Sequence, residues 1–178
     1  MSYREAAALL GRPLAQAGIG LVYGGGNIGL MGVLADAALQ QDGEVIGVIP
    51  DAMVSQERAH RGVTELRVVA SMHERKALMA DLSDAFIALP GGYGTFEEFC
   101  EVITWSQLGI HAKPCGLLNV HGYYDHLLGL FDLAVEEGFV RPDMRRLVLV
   151  DAEVGPLLHH LSAWERPPSE RLLARDGR

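Results

Sequence analysis

Short apolar runs alternate with segments of helical periodicity along most of this chain, and that alternation constrains the fold more than any other feature. The runs Ile19–Tyr23, Glu44–Ile49, Leu66–Val69, Ala85–Leu89, Cys115–Asn119 and Leu147–Val150 read as strands. Leu30–Gln41, Met72–Leu82, Thr95–Leu108, Tyr123–Glu137 and Val154–Trp164 read as helices between and after them. Strands that are apolar at nearly every position have no solvent face. They predict an α/β fold, a doubly wound parallel sheet with helices on both sides. Arg4–Ala17 reads as a further helix with an apolar stripe through Ala7, Leu10 and Leu14, bent or divided at Pro13. Doubly wound folds usually open with a strand in mid-sheet, whereas a helix comes first here. The expectation is that the fold closes without that strand or that the natural chain starts further upstream.

A length of 178 residues with 49% hydrophobic content suits one globular domain, expected over 1–165, followed by a charged tail over 166–178. The 15 basic residues are scattered and outnumbered by 23 acidic ones, for a net charge of −8, which argues against nucleic acid as the main partner. No apolar run approaches the roughly 20 residues that span a bilayer. No signal peptide precedes the first helix, so the chain reads as cytoplasmic, with no membrane partner. Cys100 and Cys115 read as free thiols of the core. Asp51 to Gly62 is polar and irregular, long enough for a functional loop.

Two glycine clusters follow predicted strands. Gly24-Gly25-Gly26-Asn27-Ile28-Gly29 lies between a strand and a helix, and so does Pro90-Gly91-Gly92-Tyr93-Gly94-Thr95. Glycine lets backbone approach an anion and turn N–H groups toward it, and a helix N-terminus adds positive potential. In open parallel sheets ligands bind at the carboxyl ends of the strands, where both loops belong. With Thr95 as the helix start, Glu97 and Glu98 fall in the first turn. This suggests chemistry on a phosphorylated small molecule.

These residues resemble the LOG ("lonely guy") family of cytokinin-activating phosphoribohydrolases, whose members often carry the label lysine decarboxylase. The family motif PGGxGTxxE is matched by Pro90, Gly91, Gly92, Gly94, Thr95 and Glu98. Its upstream partner Met-His-x-Arg-Lys is matched by Met72, His73, Arg75 and Lys76. The glycine loop GGGxxGLMG is matched by Gly24 to Gly26 and Gly29 to Gly32, and the similarity runs from the first helix to about Trp164. The resemblance implies a Rossmann-like α/β domain, usually a homodimer. It implies hydrolysis of the N-glycosidic bond of cytokinin riboside 5′-monophosphates, and commonly of AMP, to free base and ribose 5-phosphate, with no cofactor. Family members carry an initial strand and a Gly-Ser-Ser-type loop that this chain does not match.

By the same resemblance Glu98 and Arg75 are catalytic. Gly25, Gly26, Glu57, Lys76, Gly91, Gly92, Tyr93, Gly94, Thr95 and Thr104 contact the nucleotide. Each has a plainer reading. Thr95-Phe96-Glu97-Glu98 fits a capping box, in which Glu98 merely reaches back to the cap N–H. Glu97 and Glu98 point ~100° apart and do not form a glycosidase pair. Arg75 keeps its proton, so it would clamp phosphate or ribose hydroxyls and hold Glu98 in place rather than donate. Its plainer reading is a solvated arginine on a helix face. Lys76 is a phosphate contact or a surface lysine. Thr104 is a core threonine or, by resemblance, lines the base or a dimer-contributed wall. Only Lys76 and Lys113 are available as lysines, and without a pyridoxal-type signature lysine decarboxylation has no support. The histidines show no ligand spacing, so no metal is read. The alternative is a non-catalytic or dinucleotide-binding Rossmann module, since Gly24-x-Gly26-x-x-Gly29 satisfies that fingerprint, although neither Glu44 nor Asp51 sits well for its ribose acid.

Overall fold

The computed structural model describes residues 1–54 and 59–166. They fall into two compact units, Met1–Ser83 and Asp84–Arg178. The first contains α1 (Tyr3–Gln16), β1 (Leu21–Tyr23), α2 (Gly29–Leu39), β2 (Val45–Pro50), a 3₁₀ turn at Asp51–Met53, β3 (Glu65–Val69) and α3 (Met72–Leu82). Its strands pair in parallel in the order β1-β2-β3, with Leu21 opposite Val45 and Ile46 opposite Glu65. β2 is buried at all but one position, as an inner strand of apolar residues must be, while β3 stands half in solvent at the sheet edge.

Ser2 caps α1 by a reciprocal box: its hydroxyl accepts from Glu5 N at 3.2 Å and the Glu5 carboxylate accepts from Ser2 N at 2.5 Å. Pro13 does not divide α1, which runs unbroken from Tyr3 to Gln16. Proline has no N–H to offer the Leu9 carbonyl, and Leu9 is 44% exposed.

The second unit contains β4 (Phe86–Ala88), α4 (Tyr93–Leu108), β5 (Cys115–Leu118), a 3₁₀ turn at Val120–Gly122, α5 (Asp125–Glu136), the short α6 (Pro142–Arg145), β6 (Val148–Asp151) and α7 (Val154–Ser162). Its parallel order is β4-β5-β6, with Phe86 opposite Cys115 and Cys115 opposite Val148. Ala88, Phe99, Cys115, Leu117, Tyr124 and Val148 form the core, with Phe96, Ile103 and Phe131 packed against it. Each fully buried Leu or Phe of this kind contributes about 1.5–3 kcal/mol. The architecture is α/β and Rossmann-like. Cys100 is exposed rather than part of the core; Cys115 is buried, and burial pushes its thiol up to about 12. Among the described residues no helix is long and apolar enough to cross a membrane.

Candidate functional site

In the first unit β1 ends at Tyr23 and the glycine loop runs to the start of α2. A side chain at Gly24 would collide with Nη2 of Arg75 and lie 3.3 Å from Met31 Sδ. Gly24 is therefore glycine because a guanidinium occupies the space. Arg75 reaches it from the first turn of α3, whose start is fixed by Ser71: the Ser71 hydroxyl accepts from Glu74 N at 3.2 Å, and Glu74 accepts from Ala70 N at 2.9 Å. Arg75 is only 6% exposed, which overturns its reading as a solvated residue. Its Nη1 donates to Met72 Sδ at 3.6 Å, and arginine keeps its charge at any ordinary pH. This loop thus holds a fixed cation.

The rest of the loop is tied down as well. Gly25 takes φ +75° and its carbonyl accepts from His60 N at 2.9 Å, while Gly26 bridges Ala59 in antiparallel fashion. Gly62 N donates to His60 Nδ1 at 3.2 Å, and His60 Nε2 lies 3.0 Å from Asp36 Oδ1.

The second unit builds its loop differently. Two tyrosines after β5 hold the carbonyls that follow β4. Tyr124 Oη donates to Leu89 O at 2.5 Å and Tyr123 Oη to Gly91 O at 2.5 Å. Thr95 Oγ1 occupies the space a side chain on Gly91 would need. Gly92 caps α4 with φ −95°, and a side chain at Gly92 or Gly94 would meet nothing within 4 Å. Neither backbone strain nor packing among the described residues calls for glycine at these two positions. The space lies beside the first N–H groups of α4, which lack intrahelical acceptors and carry the positive end of the helix dipole. Tyr93, at 92% exposed, stands at the same helix start.

The cap at Gly92 corrects two sequence readings. Thr95 does not start the helix, and it is the third helical residue; Glu97 and Glu98 fall in the second turn, with no acid in the first. The capping box with Thr95 as its cap residue therefore does not form. Glu98 is half-buried and Glu97 exposed, as their angular separation requires.

Thr104 is exposed and its hydroxyl donates to Cys100 O at 2.7 Å, so it is not a core threonine. Lys76 is half-buried, next to Arg75 on α3. Glu57 lies outside the described residues. The first unit brings Gly24 together with Arg75, and the second brings Gly91 and Thr95 together with Tyr123. Tyr123, Tyr124 and His60 had no place in the sequence reading of the site. The Tyr123–Tyr124 doublet directly after Gly122 was the available signal.

Comparison with known proteins gives the class first. The protein family described as possible lysine decarboxylase matches residues 31–161. A probable cytokinin riboside 5′-monophosphate phosphoribohydrolase of Oryza sativa subsp. japonica is 53% identical over 95% of this chain and 69% of its own length. A cytokinin riboside 5′-monophosphate phosphoribohydrolase of Arabidopsis thaliana is 56% identical over 84% of this chain and 70% of its own. The chain belongs to this family, the LOG family. In shape it is similar to the molybdenum cofactor binding protein of Rippkaea orientalis, with a TM-score of 0.68 and 21% identity over 90% of this chain and 86% of that one, a likeness of fold alone.

Proposed function

We propose that this chain hydrolyses the N-glycosidic bond of cytokinin riboside 5′-monophosphates, and of AMP, to free base and ribose 5-phosphate. Its relatives carry the first activity in their names. The structural observation that carries the reading is the open space at Gly92 and Gly94, at the start of the helix that bears Glu98. A phosphate dianion suits that space, since the N–H groups and dipole there favour an anion. Water adds to the anomeric carbon, the C–N bond breaks with its electron pair going to the base, and the proton released by water balances the base. The transition state resembles an oxocarbenium ion, which an ionised carboxylate stabilises while it orients water; Glu98 takes this part. The family resemblance assigns Arg75 and Lys76, neighbours on α3, to phosphate or ribose oxygens. Tyr93 and Thr95, at the start of α4, are further contacts with the nucleotide.

The packing of Gly24 on Arg75 supports this over a dinucleotide-binding module, because the first glycine of that fingerprint serves the arginine. A cytoplasmic location and a homodimer belong to the same proposal. Cys100 and Cys115 as thiols support the first. The exposed Leu108, Ile110, Leu130, Leu133 and Phe139 support the second, and a mass twice 19.3 kDa by light scattering checks it. Incubation with AMP and with an isopentenyl-type riboside monophosphate tests the activity: base and ribose 5-phosphate form in equal amounts. Bound nucleotide with no base released from either would leave the module reading in its place.

A further inference from the structure

A trans peptide group is planar, so its C=O and N–H point in opposite directions. Whatever holds the Gly91 carbonyl therefore aims the Gly92 N–H. Tyr123 Oη holds it, at 2.5 Å, which turns the Gly92 N–H away from the tyrosine. Among the described residues no hydrogen bond uses that N–H. The Tyr123 ring is itself fixed, with its centroid 6.5 Å from Phe96 at 23° and 5.1 Å from Tyr124 at 86°.

The turn before it is built to return the tyrosines to the loop. His121 and Gly122 take φ of 56° and 69°, and a side chain at Gly122 would collide with the Asp125 carboxylate. Asn119 spans the turn, accepting from Tyr124 N at 2.7 Å and donating to Asp125 Oδ1 at 2.8 Å.

We propose that Tyr123 is a positioning residue for the phosphate of a nucleoside 5′-monophosphate, its hydroxyl setting the Gly91–Gly92 peptide so that the Gly92 N–H faces the phosphate. This rests on the reading that the second glycine loop takes the phosphate. Tyr124 supplies an internal control. It makes the same bond to Leu89 O at 2.5 Å, yet the next residue is Pro90, which has no N–H to aim. Its hydroxyl secures the strand end only.

The test compares Tyr123→Phe with Tyr124→Phe, each of which keeps its ring packed. Calorimetry with ribose 5-phosphate is run beside base release from AMP and from adenosine. Tyr123→Phe weakens ribose 5-phosphate about tenfold and lowers kcat/KM for AMP about tenfold, chiefly through KM, while adenosine stays within about twofold. Its melting temperature moves by less than about 3 °C. Tyr124→Phe lowers the melting temperature and leaves ribose 5-phosphate affinity unchanged. Equal affinity of wild type and Tyr123→Phe for ribose 5-phosphate would overturn the proposal, as would equal losses with AMP and adenosine, or no binding by the wild type. If the wild type binds ribose 5-phosphate but releases no base, the hydrolase reading fails and the affinity comparison still decides the role of Tyr123.

Discussion

The two glycine loops look alike in sequence and are opposite in construction. In Gly24–Gly29 the protein itself uses the glycines: Gly24 makes room for Arg75, and Gly25 and Gly29 adopt φ of 75° and 67°. In Pro90–Thr95 only Gly91 is packed, by Thr95, while Gly92 and Gly94 face open space in ordinary backbone conformations. Glycine that nothing internal requires points to something external that comes close. The first loop stores a cation; the second leaves room for a ligand. A glycine-rich motif thus says little until each missing side chain has been asked what it would have touched.

The largest expected effect breaks the second loop's helix at its chemistry. Glu98→Gln keeps size and hydrogen bonding but removes charge, so base release from AMP falls by about 10³-fold while nucleotide affinity and melting temperature hold. Near-wild-type turnover would return Glu98 to a structural role. Next, AMP should exceed adenosine by about 10²-fold in kcat/KM, because phosphate held at the second loop positions the ribose. Equal values would make both loops structural.

The first loop should respond in stability as well. Gly24→Ala forces the Arg75 guanidinium aside, an overpacking that costs about 1–3 kcal/mol and several degrees of melting temperature. An unchanged melt would show that the arginine moves without penalty. The smallest effect is at His111, whose pKa burial holds below the ordinary 6.5, partly offset by its bond to Val102 O at 2.9 Å. The unfolded chain then binds a proton that the folded one refuses. Stability should decline slightly as pH falls below 6.5, and His111→Gln should shallow that decline in melts from neutral to acid pH.

The fold was legible because periodicity is local. Met72–Leu82 matches its predicted helix residue for residue, since Ser71 caps it and Ser83 ends it in extended backbone. The strands shift by a residue or two at their ends. The site was legible only in part. Thr95-x-x-Glu98 is a sound local capping pattern, yet the chain caps α4 three residues earlier, at Gly92, where the tyrosine-held loop delivers the backbone. That hold joins residues 32 and 35 apart in sequence, and no local pattern encodes it. Burial of Arg75 was hidden for the same reason: the space it fills is a missing side chain about 50 residues away, on another element.

The most direct measurement is Gly94→Ala, read by a thermal melt and an adenine-release assay on the same sample. Alanine in the first helical turn meets nothing within 4 Å and favours helix by up to about 1 kcal/mol, so the melting temperature should hold or rise. Base release from AMP should fall at least about tenfold, because the added methyl stands where the ligand comes close. A variant that melts no lower and turns over AMP at the wild-type rate would contradict the account.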